Sequence, residues 1–498
     1  MLKDIDWTIG RGEQWAVVGP NGSGKTSLVK TIAGMLPSAG GKINFYPFNR
    51  NDHNQTPVSK DIGYMSAELH RKVFEREAFV EDIRHFTGDD TKVLTAKDFI
   101  LDQSEQDENH SPDSLSRLEA MGKHLDMDRV LPKKVGALTT GEISKTLILK
   151  ALLHQPQLLI LDEPFNGLDR RSIHRVADLI SGLMRDGLQV IMITHRITEI
   201  LPEISHVLMM AADGVIKKGY KNEVLQPAVF KRVYGIDYNP MTREMVSPKR
   251  PALSLPQSSS RRGETTKLVE MIDIKVQYHD RKVLKNIQWT IREGENWIVH
   301  GPDGAGKTSL LKLITGDNLQ AYANKIILFD HAKGSGESVW EIKQKIGWVS
   351  SDLHSKYPPN IKGAEVVYSG FFDSVGLFRS ATSEQRQQAV HWLSMLELDH
   401  LAREKYGELS HGQRQMLLIA RAMVKSPPLM LFDEPCEGLD IANRRKIIEI
   451  IDYIGFQTPS TIVYATFEDD DELSCITHKL FLDGGMAVIS PNVLKPNG

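Results

Sequence analysis

The segment Gly19-Pro20-Asn21-Gly22-Ser23-Gly24-Lys25-Thr26 recurs almost unchanged as Gly301-Pro302-Asp303-Gly304-Ala305-Gly306-Lys307-Thr308, and no other feature constrains the fold so tightly. Both fit G-x-x-x-x-G-K-[ST], a loop that cradles phosphate. Its glycines let backbone N–H groups converge on an anion with no Cβ in the way. Its lysine neutralises phosphate charge, and its threonine hydroxyl is a ligand for Mg²⁺. The flanks agree. Trp15-Ala16-Val17-Val18 and Trp297-Ile298-Val299 read as buried strands, and Ser27 to Ile32 and Ser309 to Ile314 as helices whose N-termini favour phosphate.

The loops belong to a larger duplication. Leu2-Lys3-Asp4-Ile5-Asp6-Trp7-Thr8-Ile9 matches Leu284-Lys285-Asn286-Ile287-Gln288-Trp289-Thr290-Ile291, and Gly12-Glu13-Gln14-Trp15 matches Gly294-Glu295-Asn296-Trp297 at the same offset. A chain of 498 residues exceeds one domain. The expected division is a first domain over 1–238, a Pro/Ser/basic linker over 239–266, and a second domain over 267–498. A net charge of −3 gives no global pull toward nucleic acid or membrane. Only Cys436 and Cys475 occur, which argues against a disulfide scaffold and suits a reducing cytosol. The N-terminus does not read as a signal peptide. No apolar run reaches the roughly eighteen residues of a bilayer span, so a membrane role would go through a partner.

Each copy carries further signals. Leu138-Thr139-Thr140-Gly141-Glu142 and Leu409-Ser410-His411-Gly412-Gln413 each open a helix, in the second case with Met416, Ile419, Ala420 and Met423 on one face. A hydroxyl and a glycine amide there form either an anion site or a plain N-cap. Leu158-Leu159-Ile160-Leu161-Asp162-Glu163-Pro164 and Leu429-Met430-Leu431-Phe432-Asp433-Glu434-Pro435 read as strands buried on both faces, ending in two acids. Ligands of open α/β sheets sit at such strand ends. The first acid suits Mg²⁺, and the second can orient or deprotonate a water. Asn166-Gly167-Leu168-Asp169 and Glu437-Gly438-Leu439-Asp440 follow at matched distance, and Val190 to His195 is another buried strand ending in histidine. Elsewhere Asp102 to Ser116 reads as a surface loop, and Leu115 to Gly122 and Ala389 to Leu398 as helices. His53, His70, His110 and His124 read as solvated, Trp7 and Trp289 as packed strand residues, Cys436 as a packing residue and His300 as a strand-end residue.

In this order the motifs resemble those of ATP-binding cassette (ABC) ATPases, in both halves and over nearly all the chain except the linker. The resemblance implies an α/β fold of two tandem P-loop NTPase domains, each with a RecA-like core, an antiparallel β portion and a helical signature subdomain. It implies ATP with Mg²⁺, two composite sites, and closure of the halves on ATP. One site would take Gly19, Asn21, Gly22, Gly24, Lys25 and Thr26 on the phosphates, Thr26 and Asp162 on the metal, and Glu163 and His195 for hydrolysis, completed by Ser410 and Gly412. The other would take Gly301, Asp303, Gly304, Gly306, Lys307 and Thr308, with Thr308 and Asp433 on the metal, Glu434 for hydrolysis and Tyr278 on adenine, completed by Thr139 and Gly141.

The departures are informative. A counterpart of Tyr278 in the first copy would precede Met1, so either that copy lacks the opening strand and stacking aromatic or the start of the chain is truncated. The family's glutamine after Ile-Gly-aromatic is replaced by Ala67 and Ser351, followed by Glu68 and Asp352. Thr140 and His411 replace a signature glycine, which puts close backbone approach there in doubt. The switch histidine is His195 in the first copy and Phe467 in the second, and phenylalanine donates no hydrogen bond. One site is therefore expected to be degenerate. The resemblance favours an ATP-binding subunit working with membrane permeases encoded elsewhere, cytoplasmic or peripheral on the inner membrane's cytoplasmic face. Two other uses compete: a stand-alone ATPase acting on ribosomes, and a slowly hydrolysing regulatory module. No specific nucleic-acid signal is present. Segments such as Ser369-Gly370-Phe371-Phe372-Asp373-Ser374 further resemble a group of tandem cassettes associated by name with molybdate transport.

Overall fold

The computed structural model describes residues 2, 4–38, 40–45, 61–66, 94–101, 112–235, 238–239, 244–245, 266–278, 281–302, 304–336, 338–350, 353–354, 356–376, 379–467 and 471–491. His53, Ala67, Glu68, His70, His110, Asp303, Ser351, Asp352 and nearly all of the expected linker lie outside them. The chain divides into two compact units, Met1–Lys249 and Arg250–Gly498.

In the first unit the strands are β1 Trp15–Val18, β2 Ile62–Ser66, β3 Leu158–Asp162, β4 Gln189–Thr194, β5 His206–Ala211 and β6 Gly214–Tyr220. They form one sheet in the order β2-β3-β4-β1-β5-β6, parallel throughout except for β6. The absence of alternation in Leu158–Leu161 is explained here: all five residues of β3 are buried, covered on both faces. Burial of each such aliphatic side chain contributes roughly 1.5–3 kcal/mol. The helices that matter for the site are α1 Lys25–Ile32, α2 Thr140–Leu153 and α3 Arg170–Arg185. A two-stranded ribbon, β7 Tyr238–Asn239 with β8 Glu244–Met245, lies near the unit's end.

The second unit repeats the sheet. A hairpin of β9 Lys267–Tyr278 and β10 Arg281–Arg292 joins β12 Lys325–Leu328 and β13 His331–Ala332 in a four-stranded antiparallel sheet, ordered β10-β9-β12-β13. The main sheet runs β14-β15-β16-β11-β17-β18, from β11 Trp297–His300, β14 Ile346–Ser350, β15 Leu429–Asp433, β16 Thr461–Thr466, β17 His478–Asp483 and β18 Met486–Pro491. Its site helices are α4 Lys307–Thr315, α5 His411–Met423 and α6 Ile441–Gln457.

Local chemistry corrects several expectations. Residues 112–116 are not loop: they open the helix Pro112–His124, where proline's fixed φ suits the first turn and Asp113 pairs with Arg117 one turn on. The second polar region's helix is Ser383–Met395, starting earlier than the apolar pattern suggested because Thr382 and Gln385 form a capping box. Helix α5 buries Gln415 through Met423 without interruption, where one apolar face was expected, because it sits inside the second unit's core. Leu2 and Asp4–Ile9 form no strand, unlike their counterparts in β10, which are held by hydrogen bonds to β9. Trp7 still packs edge-on against Trp15 at 5.2 Å, much as Trp289 meets Trp297 at 5.6 Å.

The Ser369–Ser374 stretch gains a structural explanation. Asp373, at φ 48°, accepts from Lys425 Nζ at 2.5 Å, and Lys425 also donates to Lys343 O at 2.6 Å. Arg421 donates to Ser369 Oγ at 3.3 Å and to Ser374 O at 3.1 Å. The segment thus ties the C-terminal end of α5 to the backbone leading into β14.

Candidate active site

Both phosphate loops join a central strand to a helix, β1 to α1 and β11 to α4. Gly24 and Gly306 take left-handed conformations, φ 89° and 104°, as the residues before the first helical turn, a backbone that L side chains rarely adopt. Gly22 and Gly304 lie exposed at the turns with φ 83° and 72°, beside a half-buried Asn21 in the first loop, and Gly19 and Gly301 follow the strands. Lys25 and Lys307 are buried, at 6% and 5% exposure. Lys25 Nζ donates to Gly19 O and Pro20 O, both at 2.8 Å, and Lys307 Nζ to Gly301 O at 2.9 Å and Pro302 O at 3.2 Å. Each loop thus holds one cation inside its own turn.

The strand-end acids lie against these loops. Thr26 Oγ1 donates to Asp162 Oδ1 at 3.2 Å, and Thr308 Oγ1 to Asp433 Oδ1 at 3.1 Å. Burial pushes Asp162 up to about 6; the Thr26 and Tyr64 hydroxyls oppose the rise and Glu163's charge adds to it. Tyr64 was not foreseen: its hydroxyl donates to Asp162 Oδ2 at 3.3 Å, whereas its counterpart in the second copy is Trp348. An all-oxygen pair of hydroxyl and carboxylate fits a hard divalent cation such as Mg²⁺.

The next residue is where the copies part. Glu163 and Glu434 share a left-handed backbone, φ 53° and 49°, each donating its N–H to the neighbouring strand, at Ile193 O and Ala465 O. In the first unit His195 Nδ1 lies 2.8 Å from Glu163 Oε1, while His195 Nε2 accepts from Arg196 Nε at 3.3 Å. That pattern is the Nδ1–H tautomer, with the proton directed at the glutamate. Burial would raise the Glu163 carboxyl, but His195, Lys25 and Arg196 together outweigh it and hold it below its ordinary value. In the second unit Phe467 offers Glu434 only its backbone N–H, at 3.3 Å, with Lys307 Nζ 3.3 Å from the other oxygen. Burial dominates there and pushes Glu434 up to about 8. Lys307 also sits 5.7 Å from the Phe467 ring centre.

Behind each site a second acid lies four residues past the histidine or phenylalanine. Glu199 accepts from Thr194 Oγ1 at 2.7 Å, and Asp471 from Tyr464 and Thr466 at 2.7 and 3.0 Å and from Arg444 at 2.8 Å. The matched spacing of these acids was the available signal.

Thr139 and Ser410 are N-caps, each accepting from the backbone N–H three residues on, Glu142 and Gln413, at 3.3 Å within a capping box. Capping uses the oxygen as acceptor, so the cap does not stop the O–H from donating to an anion. Gly141 and Gly412 are buried in the first turns. Thr140 and His411 obstruct nothing in their own units: Thr140 lays its methyl against Gly167, and His411 Nε2 lies 3.2 Å from Glu437 O. Tyr278 ends β9, 45% exposed, its hydroxyl accepting from Asn318 Nδ2 at 3.0 Å. The hairpin that carries it contacts the phosphate loop, because Val283 and Leu284 lie where a Cβ on Gly306 would project. Among the described residues no group of three His, Cys, Asp or Glu side chains that could hold a metal ion occurs, His124 is exposed, and no helix is long and apolar enough to cross a membrane.

Residues 2–166 and 284–437 match the ABC transporter family profile. The chain is 32% identical over 484 residues to the ABC transporter ATP-binding protein ModF of Escherichia coli strain K12, covering 96% of this chain and 93% of that one. It is 26% identical over 498 residues to the uncharacterized ABC transporter ATP-binding protein C323.04 of Schizosaccharomyces pombe, with 98% and 96% covered. Among solved structures, one described as a model of ribosome-bound archaeal Pelota and ABCE1 aligns with TM-score 0.58 at 20% identity, covering 97% of this chain and 76% of that chain. At that identity the likeness shows the fold alone.

Proposed function

Because this chain belongs to the ABC transporter family, as two ATP-hydrolysing cassettes in tandem, we propose that it is the Mg²⁺-dependent energising subunit of a transporter whose membrane permeases are separate chains. The observation carrying the site assignment is the cluster of loop lysine, threonine–aspartate pair and strand-end glutamate that recurs in both units, with a different partner on each glutamate. In this reading Lys25 and Lys307 exchange their loop carbonyls for the terminal phosphates of ATP. Thr26 with Asp162, and Thr308 with Asp433, hold Mg²⁺, which supplies charge neutralisation on the phosphate oxygens. Glu163 orients and deprotonates the attacking water, kept ionised by His195. Each signature N-terminus, Thr139–Gly141 or Ser410–Gly412, donates to the nucleotide held by the other cassette's loop, and Tyr278 stacks on adenine in the second site. ATP thereby draws the cassettes together, and loss of the γ-phosphate releases them.

The sites work unequally. His195 beside Glu163 supports a base in the first site, while Phe467 and a carboxyl raised by burial at Glu434 support a second site that mainly binds. Attachment is peripheral, at the cytoplasmic face, through permease contacts; the tandem cassettes it resembles are associated by name with molybdate transport. An ATP-trapped Glu163→Gln chain, captured from cells of its own species, tests this assignment. Co-capture of integral membrane permeases is the expected result. Capture of ribosomes, or of no partner, would replace it with the translation-linked or the regulatory alternative.

A further inference from the structure

We infer that Ser144 and His411 are positioning residues that lock, each within its own unit, the loop carrying the strand-end glutamate to the start of the signature helix. Ser144 Oγ, fully buried on α2, donates to Asn166 O at 3.2 Å. His411 Nε2, in the first turn of α5, lies 3.2 Å from Glu437 O and is the donor, since a carbonyl only accepts. Asn166 and Glu437 are matched positions, each directly before Gly-Leu-Asp. The same carbonyl is therefore held in both units, from different points on the helix. Where Ser144 stands in the first unit the second has Gln415, which bonds His354 instead; where His411 stands the first has Thr140, which only packs on Gly167. Two independent solutions for one acceptor argue that the acceptor matters.

The bonds continue to the chemistry. Asn166 N–H donates to Glu163 O at 3.2 Å, and Glu437 N–H to Glu434 O at 3.1 Å. Beyond the glycine, Asp169 and Asp440 cap α3 and α6 through Ser172 N–H and Asn443 N–H. A short chain of hydrogen bonds thus runs from each glutamate's backbone through the loop to the helix whose N-terminus carries Thr139 or Ser410. His354 adds a ring stacked on His411 at 4.4 Å in the second unit. The bond makes acid and signature helix shift together, so whatever displaces one displaces the other. The inference rests on the proposed role of the signature N-termini.

The test uses the full chain with Ser144→Ala, His411→Ala, and a transplant, His411→Thr with Gln415→Ser, that rebuilds the first unit's arrangement in the second. Loss of one hydrogen bond is expected to lower kcat about three- to tenfold. KM for ATP should stay within about twofold, because ground-state binding to the loops is untouched. Amide exchange over Glu437–Asp440 should quicken in His411→Ala, and the transplant should restore both kcat and protection. Unchanged kcat and exchange in His411→Ala, or a transplant no better than His411→Ala, would overturn the inference. Ser410→Ala separates the two failures. If it impairs hydrolysis while His411→Ala does not, only the anchor is wrong; if it is silent, the signature reading fails and takes the anchor with it.

Discussion

Replacing Phe467 by histidine should change how the second site responds to pH. Burial pushes Glu434 up to about 8, with Lys307 opposing, whereas His195 at 2.8 Å helps hold Glu163 below its ordinary value. An acid is a base only above its folded pKa, so at pH 7 about one Glu434 in eleven is ionised. A histidine at 467, with the geometry of His195, would bring that fraction close to one. Protonation alone then predicts a gain of about tenfold at pH 7, about twofold at pH 8 and none above about pH 9. The assay is single-turnover ATP hydrolysis over roughly pH 6 to 9 in a Glu163→Gln background that silences the first site. With Phe467 the rate should climb through an inflection near 8; with histidine it should be flat there. An inflection that stays near 8, or no gain at pH 7, would refute the account of Glu434.

In otherwise wild-type chains, Glu163→Gln should remove most hydrolysis at pH 7 and Glu434→Gln little, and equal losses in single-turnover assays would contradict the asymmetry. Thr26→Ala should raise the Mg²⁺ concentration for half-maximal hydrolysis about tenfold or more, since it removes a ligand and the support of Asp162, and a Mg²⁺ titration checks it. Lys425→Met leaves the Asp373 carboxylate buried without its cation, Lys425 and Asp373 being 6% and 13% exposed. That should cost the second unit about 3–5 kcal/mol in chemical denaturation, and a further Asp373→Asn change, which removes the charge and tolerates the left-handed backbone, should recover much of it.

The phosphate loops, the strand-end acids and the buried parallel strands were legible because each needs particular residue types at fixed spacing: glycine where φ is positive, unbroken aliphatics where a strand is covered twice. Phe467 was legible as a departure, but its effect on Glu434 was not, because that depends on which charges reach a buried carboxylate. Tyr64 illustrates the limit well. It bonds Asp162 only because β2 pairs with β3, Tyr64 beside Ile160, a fact of sheet order. The start of Ser383–Met395 was missed because a polar capping box set it before any apolar repeat began. Thr140 and His411 were legible as departures at a signature glycine, but their neighbours Gly167 and Glu437 O were not, since those contacts depend on how the loop packs on the helix.

Glu163 and Glu434 both sit at a left-handed bend whose amide is tied to the adjacent strand. Their reach is consequently a matter of side-chain length alone, for the main chain has no slack with which to follow a shorter acid. Aspartate at either position would withdraw the carboxylate by one methylene, while glutamine keeps the reach and drops only the charge, so comparing the two substitutions at one position separates geometry from basicity.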